Sequence, residues 1–404
     1  MSVDHPTEQS MNVQLHYSVM LRSLALAQEI SPLPSDCSPV QSNAAYPTST
    51  KLPDPFLLSN GARLSSKDAW ECKRAEIRDQ IQRYELGPKP PKPTVKATFS
   101  GNSISITCTE GGTSISFSVS VSKPTGGKAP YPALIAYGAP SIPVPSGVAT
   151  INYNNQDIAA DNPRGQGKFY TLYGSSNTAG GLIAWAWGAS RIIDALEQLG
   201  SDVTGIDATR LAVTGCSRNG KGALIAAAFD DRFALALPQE GGSGGPGCRR
   251  IVAEMKKNGT VVEDATQIVT GDGWFAQVFS NYAPNVSVLP YDHHMLEALV
   301  APRGLLVIEN SGIDYLGPIS TYGCSFAGRE VFQALGAQTN MGFSQVSHGS
   351  THCQMPSSQN PEVAAFFGKF LLSQTTANTN VFKTDGTFNF EPGRWIAWNV
   401  PSLA

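Results

Sequence analysis

Two regimes of patterning divide the chain. Over 102–108 and 113–122, polar and β-branched residues alternate on either side of Gly111-Gly112, the pattern of a hairpin. From residue 131 the apolar residues fall in short runs: 132–137 (Pro-Ala-Leu-Ile-Ala-Tyr), 210–214 (Arg-Leu-Ala-Val-Thr), 233–237 (Phe-Ala-Leu-Ala-Leu) and 304–309 (Gly-Leu-Leu-Val-Ile-Glu). Short runs without alternation predict strands covered on both faces. Helical spacing intervenes at about 181–199, 219–229, 326–336 and 361–372. An earlier helix is predicted over 65–86, where Trp70, Ile77, Ile81 and Tyr84 recur at helical spacing. Pro88, Pro90, Pro91 and Pro93 then force extended chain. Buried strands alternating with helices predict an α/β protein with a mostly parallel sheet covered on both faces. No internal repeat stands out, so residues 31–404 are expected to form one domain. Residues 1–30 are expected to be a leader or disordered arm: the first twelve are polar and lack Lys and Arg, and Arg22 interrupts the apolar stretch that follows.

Composition narrows the function classes. The 404 residues carry 29 Lys+Arg against 32 Asp+Glu, a formal charge of −3, and only 15% are charged. With 41% hydrophobic residues the chain is not of the disordered class. It has no basic footprint for nucleic acid and no run of about 18 apolar residues to span a membrane. Seven cysteines are scattered at 37, 72, 108, 216, 248, 324 and 353 without a C-x-x-C pair, which favours disulfides in a secreted protein over a metal or redox motif. Asn258-Gly259-Thr260 and Asn285-Val286-Ser287 are glycosylation acceptor triplets.

The most informative stretch is Leu211-Ala-Val-Thr-Gly-Cys-Ser-Arg-Asn-Gly-Lys-Gly-Ala223. A strand-like run ends in Gly215, Ser217 follows two residues later, and a helix begins: the strand–turn–helix context of a nucleophile elbow. Such a turn lifts the Ser217 hydroxyl to the sheet edge and puts free N–H groups of a helix start beside it, suited to an oxyanion. The spacing is Gly-x-Ser-x-x-Gly, and a plain N-cap serine fits the same letters. Gly222 stands where a phosphate-binding loop needs Ser or Thr after its lysine, which argues against an ATPase. Gly241-Gly-Ser-Gly-Gly245 is expected to be a loop that keeps a cleft wall free of side chains. In a hydrolase with this elbow the order is nucleophile, acid, histidine, which leaves His348 and His352 as bases and Glu240 or Asp314 as the acid. His293-His294, with no third ligand nearby, is expected to be structural, and Trp185 and Trp187 to be core or cleft wall.

Gly215-Cys-Ser-Arg-Asn-Gly-Lys-Gly222 resembles the signature of the glucuronoyl esterases, carbohydrate esterases that cleave lignin–carbohydrate esters. The resemblance runs from about Cys37 to Phe370 and includes Pro238-Gln-Glu-Gly-Gly-Ser-Gly-Gly245, Glu309-Asn310, Gly317-Pro318 and His352-Cys-Gln354. It implies an α/β-hydrolase three-layer αβα sandwich. It also implies hydrolysis of esters between 4-O-methyl-D-glucuronic acid of glucuronoxylan and lignin alcohols, by a secreted monomer without metal or cofactor. Ser217 would be the nucleophile, His352 the base, Glu240 the acid and Arg218 an oxyanion-hole residue. Lys221, with Glu263 and Tyr315, would meet the sugar. The implied disulfides are Cys37–Cys72, Cys216–Cys353 and Cys248–Cys324, with Cys108 free. A Cys216–Cys353 bridge would staple Ser217 to His352 and so favours His352 over His348. Three positions depart from the family: Glu263 and Gly271 (beside Asp272) stand for an amide and a carboxylate, and Tyr315 for a tryptophan. The altered pocket leaves room for a broader acetyl- or feruloyl-type esterase, and a silent carbohydrate-binding protein is the reading from another class.

Overall fold

The computed structural model describes residues 48–403 together with 29, 34, 35 and 37. Residues 1–28 and 30, most of the expected leader, lie outside them. Ten strands form one sheet in the order β1-β2-β3-β5-β4-β6-β7-β8-β9-β10. They are β1 (Thr94–Ser100), β2 (Ser103–Glu110), β3 (Thr113–Ser122), β4 (Tyr131–Tyr137), β5 (Ala149–Tyr153), β6 (Ile206–Cys216), β7 (Phe233–Gln239), β8 (Gly304–Glu309), β9 (Met341–Gln345) and β10 (Phe382–Thr384). The predicted hairpin is β2–β3, antiparallel about Gly111-Gly112, and its one-sided burial alternates along β3. From β5 to β10 every pairing is parallel.

The parallel strands bury alternate side chains in two separate cores. Ile135, Val213, Ala236 and Val307 join the large cluster on one face, while Leu134, Ala212, Leu237 and Leu306 join a smaller one on the other. A period of two across an unbroken apolar run places successive residues on opposite faces, which is why these strands lack polar alternation. On the larger face lie α1 (Lys67–Ile81), α2 (Gly181–Leu199) and α3 (Arg218–Ala228). Trp185 and Trp187 of α2 are fully buried there, in the core. The smaller face is covered by α6 (Asn360–Phe370) through Val363, Phe366 and Phe367.

Four elements differ from the sequence expectation. α5 (Pro318–Ala334) starts eight residues before the predicted 326. Its first half is Pro-Ile-Ser-Thr-Tyr-Gly-Cys-Ser, weak in helix formers, yet Gly323 is needed because a Cβ there would lie 2.3 Å from the Phe390 ring. β9 escapes prediction because its buried residues include Gly342, Ser344 and Gln345. Past the Pro-rich chain, β1 alternates exposed and half-buried residues at the sheet edge, a weak signal. α4 (Arg249–Lys257), also unpredicted, follows the glycine loop.

Candidate active site

The site is assembled at the C-terminal ends of β6, β7 and β9. Ser217 sits between β6 and α3 with φ 60° and ψ −128°, a conformation non-glycine residues avoid. Its N–H donates to Gln239 O at 3.0 Å, tying the turn to the end of β7. The glycines around it are spacing devices. A Cβ on Gly215 would lie 2.4 Å from Asn219 O, and one on Gly220 2.5 Å from Gln239 O, so only glycine lets α3 start this close to the sheet.

Glu240 follows β7, 1% exposed and also at positive φ (45°). Its N–H donates to Ile308 O at 2.7 Å. Its Oε2 accepts His352 Nδ1–H at 2.8 Å and the Cys353 N–H at 3.1 Å, and its Oε1 accepts the Gln239 side-chain amide at 3.0 Å. A carboxylate on Nδ1 fixes the imidazole tautomer and leaves Nε2 free to take a proton. Asp314, the other candidate acid, lies exposed in the turn Asp314–Leu316 on the cleft wall. Cys216 and Cys353 are bonded with Cα atoms 5.7 Å apart, so the residue before Ser217 is joined to the residue after His352. Cys37–Cys72 and Cys248–Cys324 are the other bridges, and Cys108 is a buried thiol whose pKa burial pushes up to about 12. Among the described residues Cys216, His352 and Cys353 form the one group spaced for a metal, but its two sulfurs are spent on each other.

The four non-glycine residues at positive φ among those described are Ser217, Glu240, Cys353 and Ser373. Three belong to this constellation. Strain of about 1–3 kcal/mol each persists only where surrounding structure over-determines it, and it clusters at functional sites.

A cleft of about 590 Å³ opens over these groups, lined among others by Ser217, Lys221, Val261, Glu263, Tyr315 and His352. Lys221, one turn into α3, is 2% exposed. Its Nζ donates to Glu263 Oε2 and to Gly241 O, both at 2.8 Å, and lies 5.2 Å from the Trp274 ring centroid. Tyr315 OH donates to Glu263 Oε1 at 3.2 Å; burial and that carboxylate push its pKa up to about 12. The charge that Glu263 brings in place of an amide is thus matched inside the protein. Arg218, exposed at the start of α3, donates from Nε to Asp161 Oδ2 at 2.8 Å, and Asp161 Oδ1 accepts Trp274 Nε1–H at 2.9 Å. Asp272 is held above its usual carboxylate range by burial and then by Glu263 and Asp161. Gly271 is exposed, with open space where a side chain would start.

The glycine loop 241–247 differs from expectation. It is fully buried and wraps Lys221: a Cβ on Gly245 would lie 3.2 Å from Lys221 Cγ, and one on Gly244 2.9 Å from the Phe275 ring. Its glycines make room for a lysine, not for a cleft wall. His293 and His294 are structural, bonding Gly245 O at 2.6 Å and Pro53 O at 2.9 Å.

Asp161 and Trp274 carry no motif in the sequence, and Glu309 stands in the Glu309-Asn310 motif without a role of its own there. Glu309 ends β8, and its Oε1 accepts the Gly241 N–H at 3.0 Å. Burial and then the neighbouring Glu240 charge push its pKa up to about 8. Glu309 was part of the family resemblance, but its chemistry shows only when β7 and β8 are seen side by side.

A family model described as glucuronyl esterase, fungi, matches residues 106–336. A Podospora anserina protein named 4-O-methyl-glucuronoyl methylesterase is 52% identical over 92% of this chain and 78% of its own length. The glucuronoyl esterase catalytic domain from Hypocrea jecorina superposes with a TM-score of 0.86 at 49% identity, covering 90% of this chain and all of that one. A serine-to-alanine variant of the Sporotrichum thermophile glucuronoyl esterase, in complex with methyl 4-O-methyl-β-D-glucopyranuronate, superposes with a TM-score of 0.87 at 48% identity, over 92% of this chain and all of that one.

Proposed function

From the premise that this chain belongs to the glucuronoyl esterase family and is an ester hydrolase of the α/β-hydrolase fold, we propose that Ser217, His352 and Glu240 are its catalytic triad. The substrate is an ester of 4-O-methyl-D-glucuronic acid, carried on glucuronoxylan and esterified to lignin alcohols. The observation that carries this reading is the His352 Nδ1–Glu240 Oε2 hydrogen bond of 2.8 Å beside a strained Ser217 in one cleft. Ser217 Oγ attacks the ester carbonyl while its proton passes to His352 Nε2. The oxyanion is held by N–H groups at the start of α3, that of Arg218 first, together with the Arg218 guanidinium. His352 returns the proton to the departing alcohol, and water activated by the same imidazole then cleaves the glucuronoyl–Ser217 ester. Lys221, Glu263 and Tyr315 form the polar floor that meets sugar hydroxyls.

Residues 31–404 are read as one catalytic domain acting as a secreted monomer on lignocellulose. Three disulfides support the oxidising compartment. Asn258 and Asn285 are both exposed, which supports glycosylation at either triplet. No helix among the described residues is long and apolar enough to cross a membrane. Turnover of benzyl glucuronate against 4-nitrophenyl acetate tests the substrate class. A preference for the uronate ester, lost in Ser217→Ala, is expected; preference for the acetate would move the protein to the broader esterases.

A further inference from the structure

Glu240 faces two histidines. Besides His352 on Oε2, the Nε2 of His348 lies 3.4 Å from Oε1. Only an N–H is compatible with a carboxylate at that position, since the carboxylate has nothing to donate. On the other side of the ring, His348 Nδ1 lies 2.9 Å from the Thr351 hydroxyl and 3.4 Å from the Asn310 side-chain amide. Asn310 also holds the loop itself: its Oδ1 accepts the His348 N–H at 3.3 Å, and its Nδ2 donates to Gly349 O at 3.1 Å. The loop base is tied by Asp385, which accepts the Ser347 N–H at 2.9 Å.

With His348 counted, Oε2 accepts from His352 and the Cys353 N–H, and Oε1 accepts from the Gln239 amide and has the His348 ring nitrogen in ion-pair contact at 3.4 Å. Three hydrogen bonds and this contact together restrict the carboxylate to one orientation. The two histidines are not interchangeable. The His352 side chain is 38% exposed and lines the cleft with Ser217, whereas that of His348 is 9% exposed and is not among the cleft-lining residues.

We propose that His348 is a positioning residue: its ring nitrogen, 3.4 Å from Oε1, holds that arm of Glu240 so that the Oε2 arm stays aimed at His352 Nδ1. The proposal rests on the triad assigned above. The charged and titratable groups about it are Glu240, His352, Asp385 at the loop base and Glu309 behind Glu240.

The effect is electrostatic as well as geometric. Every donor on Glu240 draws on one negative charge. With the His348 donor removed, more of that charge acts on the His352 imidazolium, which then holds its proton to higher pH.

The test uses His348→Ala and His348→Gln in the full chain, with thermal unfolding as a control. A glutamine amide reaches Oε1 and donates, but does not titrate. In His348→Ala, kcat on benzyl glucuronate is expected to fall about 10-fold through loss of alignment, with KM within about twofold. The acid limb of kcat/KM should move to higher pH. His348→Gln should recover most of kcat. The same rise should appear without turnover, in an NMR titration of the His352 ring protons with Ser217→Ala in the background. Equal losses in the Ala and Gln variants, or a lost rate with an unmoved His352 titration, would overturn the proposal. Should His348→Ala not fold, His348→Asn, whose amide is too short for Oε1, takes its place. If the parent's turnover proves independent of Ser217, the triad reading fails, while the NMR titration still decides whether His348 acts on His352 through Glu240.

Discussion

Ser217 occupies a backbone conformation that serine does not choose, and nothing local compensates it; the neighbouring glycines and the bond to Gln239 O hold it there. Because the triad acts as a unit, Ser217→Ala and His352→Ala are each expected to lower kcat by several orders of magnitude without unfolding the chain. The double variant should be little worse than either single; additive losses in steady-state kinetics would count against a shared mechanism. Glu240→Ala should be far more damaging than Asp314→Ala, since only Glu240 holds His352 Nδ1. Kinetics of the two alanine variants decide it: an inactive Asp314→Ala with an active Glu240→Ala would reverse the assignment. Glu309 makes a separate, pH-dependent contribution. Its folded pKa is raised from the ordinary 4.5 to about 8, so between those values the folded chain keeps a proton that the unfolded chain has lost. Stability therefore falls as pH rises through that window and levels off above it. Glu309→Gln should flatten the curve and be the more stable protein at pH 8 by more than about 1 kcal/mol, measured by denaturant unfolding at pH 5 and 8. Parallel curves would show that the burial of Glu309 is relaxed some other way.

Elements were legible wherever burial and apolarity coincide. β4, β6, β7 and β8 were visible as apolar runs, and the elbow was visible because Gly215, Ser217 and Gly220 fall between a strand run and a helix start. β9 and the first half of α5 were hidden because their buried positions hold Gly, Ser, Thr and Gln, whose polar groups are satisfied only by tertiary partners: Gln345 Nε2 donates to Pro318 O at 3.1 Å. The acid was ambiguous for a similar reason. Strand order admits both Glu240 and Asp314, and only the path of the His352 loop separates them. That path is fixed by the Cys216–Cys353 bridge, which spans a sequence separation of 137 residues. In the chain-entropy model a loop of that size stabilises by about 3–5 kcal/mol. The geometric effect should be larger for activity: releasing the His352 loop by ~1 Å costs about 100-fold in rate. Replacing Cys216 and Cys353 together by serine or alanine is expected to depress kcat much more than removing Cys37–Cys72 or Cys248–Cys324, at temperatures where all three variants stay folded. Equal kcat values would reduce this bridge to a stabiliser.

At the scale of the whole molecule, the parallel sheet separates chemistry from cohesion. Ser217, Glu240, Glu309 and His352 all lie at or beyond the C-terminal ends of strands. At the opposite ends, just before β7 and β8, lies a charge cluster that touches none of them. Asp231 Oδ1 accepts from Arg74 Nη2 at 2.6 Å, Arg78 Nη2 at 2.6 Å and Arg303 Nη2 at 3.2 Å, so one carboxylate ties α1 to the starts of two strands. Burial lowers the pKa of Arg303 to about 10 and that of Arg78 in the same direction, which marks the cost of holding these cations out of water. Breaking a buried pair by removing one partner strands the other charge and costs about 3–5 kcal/mol. Asp231→Asn keeps the shape and removes the charge, so it leaves Arg78 and Arg303 without this counter-ion and should lower stability by that order. Yet kcat and KM of the molecules that remain folded at 25 °C should stay within about twofold of the parent, because the cluster meets α3 at the Ala227 and Ala228 carbonyls, the end of that helix away from Ser217. Calorimetric unfolding and steady-state kinetics on the same preparation read both quantities. A variant with an unchanged Tm and a depressed kcat would mean that the two ends of the sheet are mechanically coupled, with α1 or α3 transmitting the change.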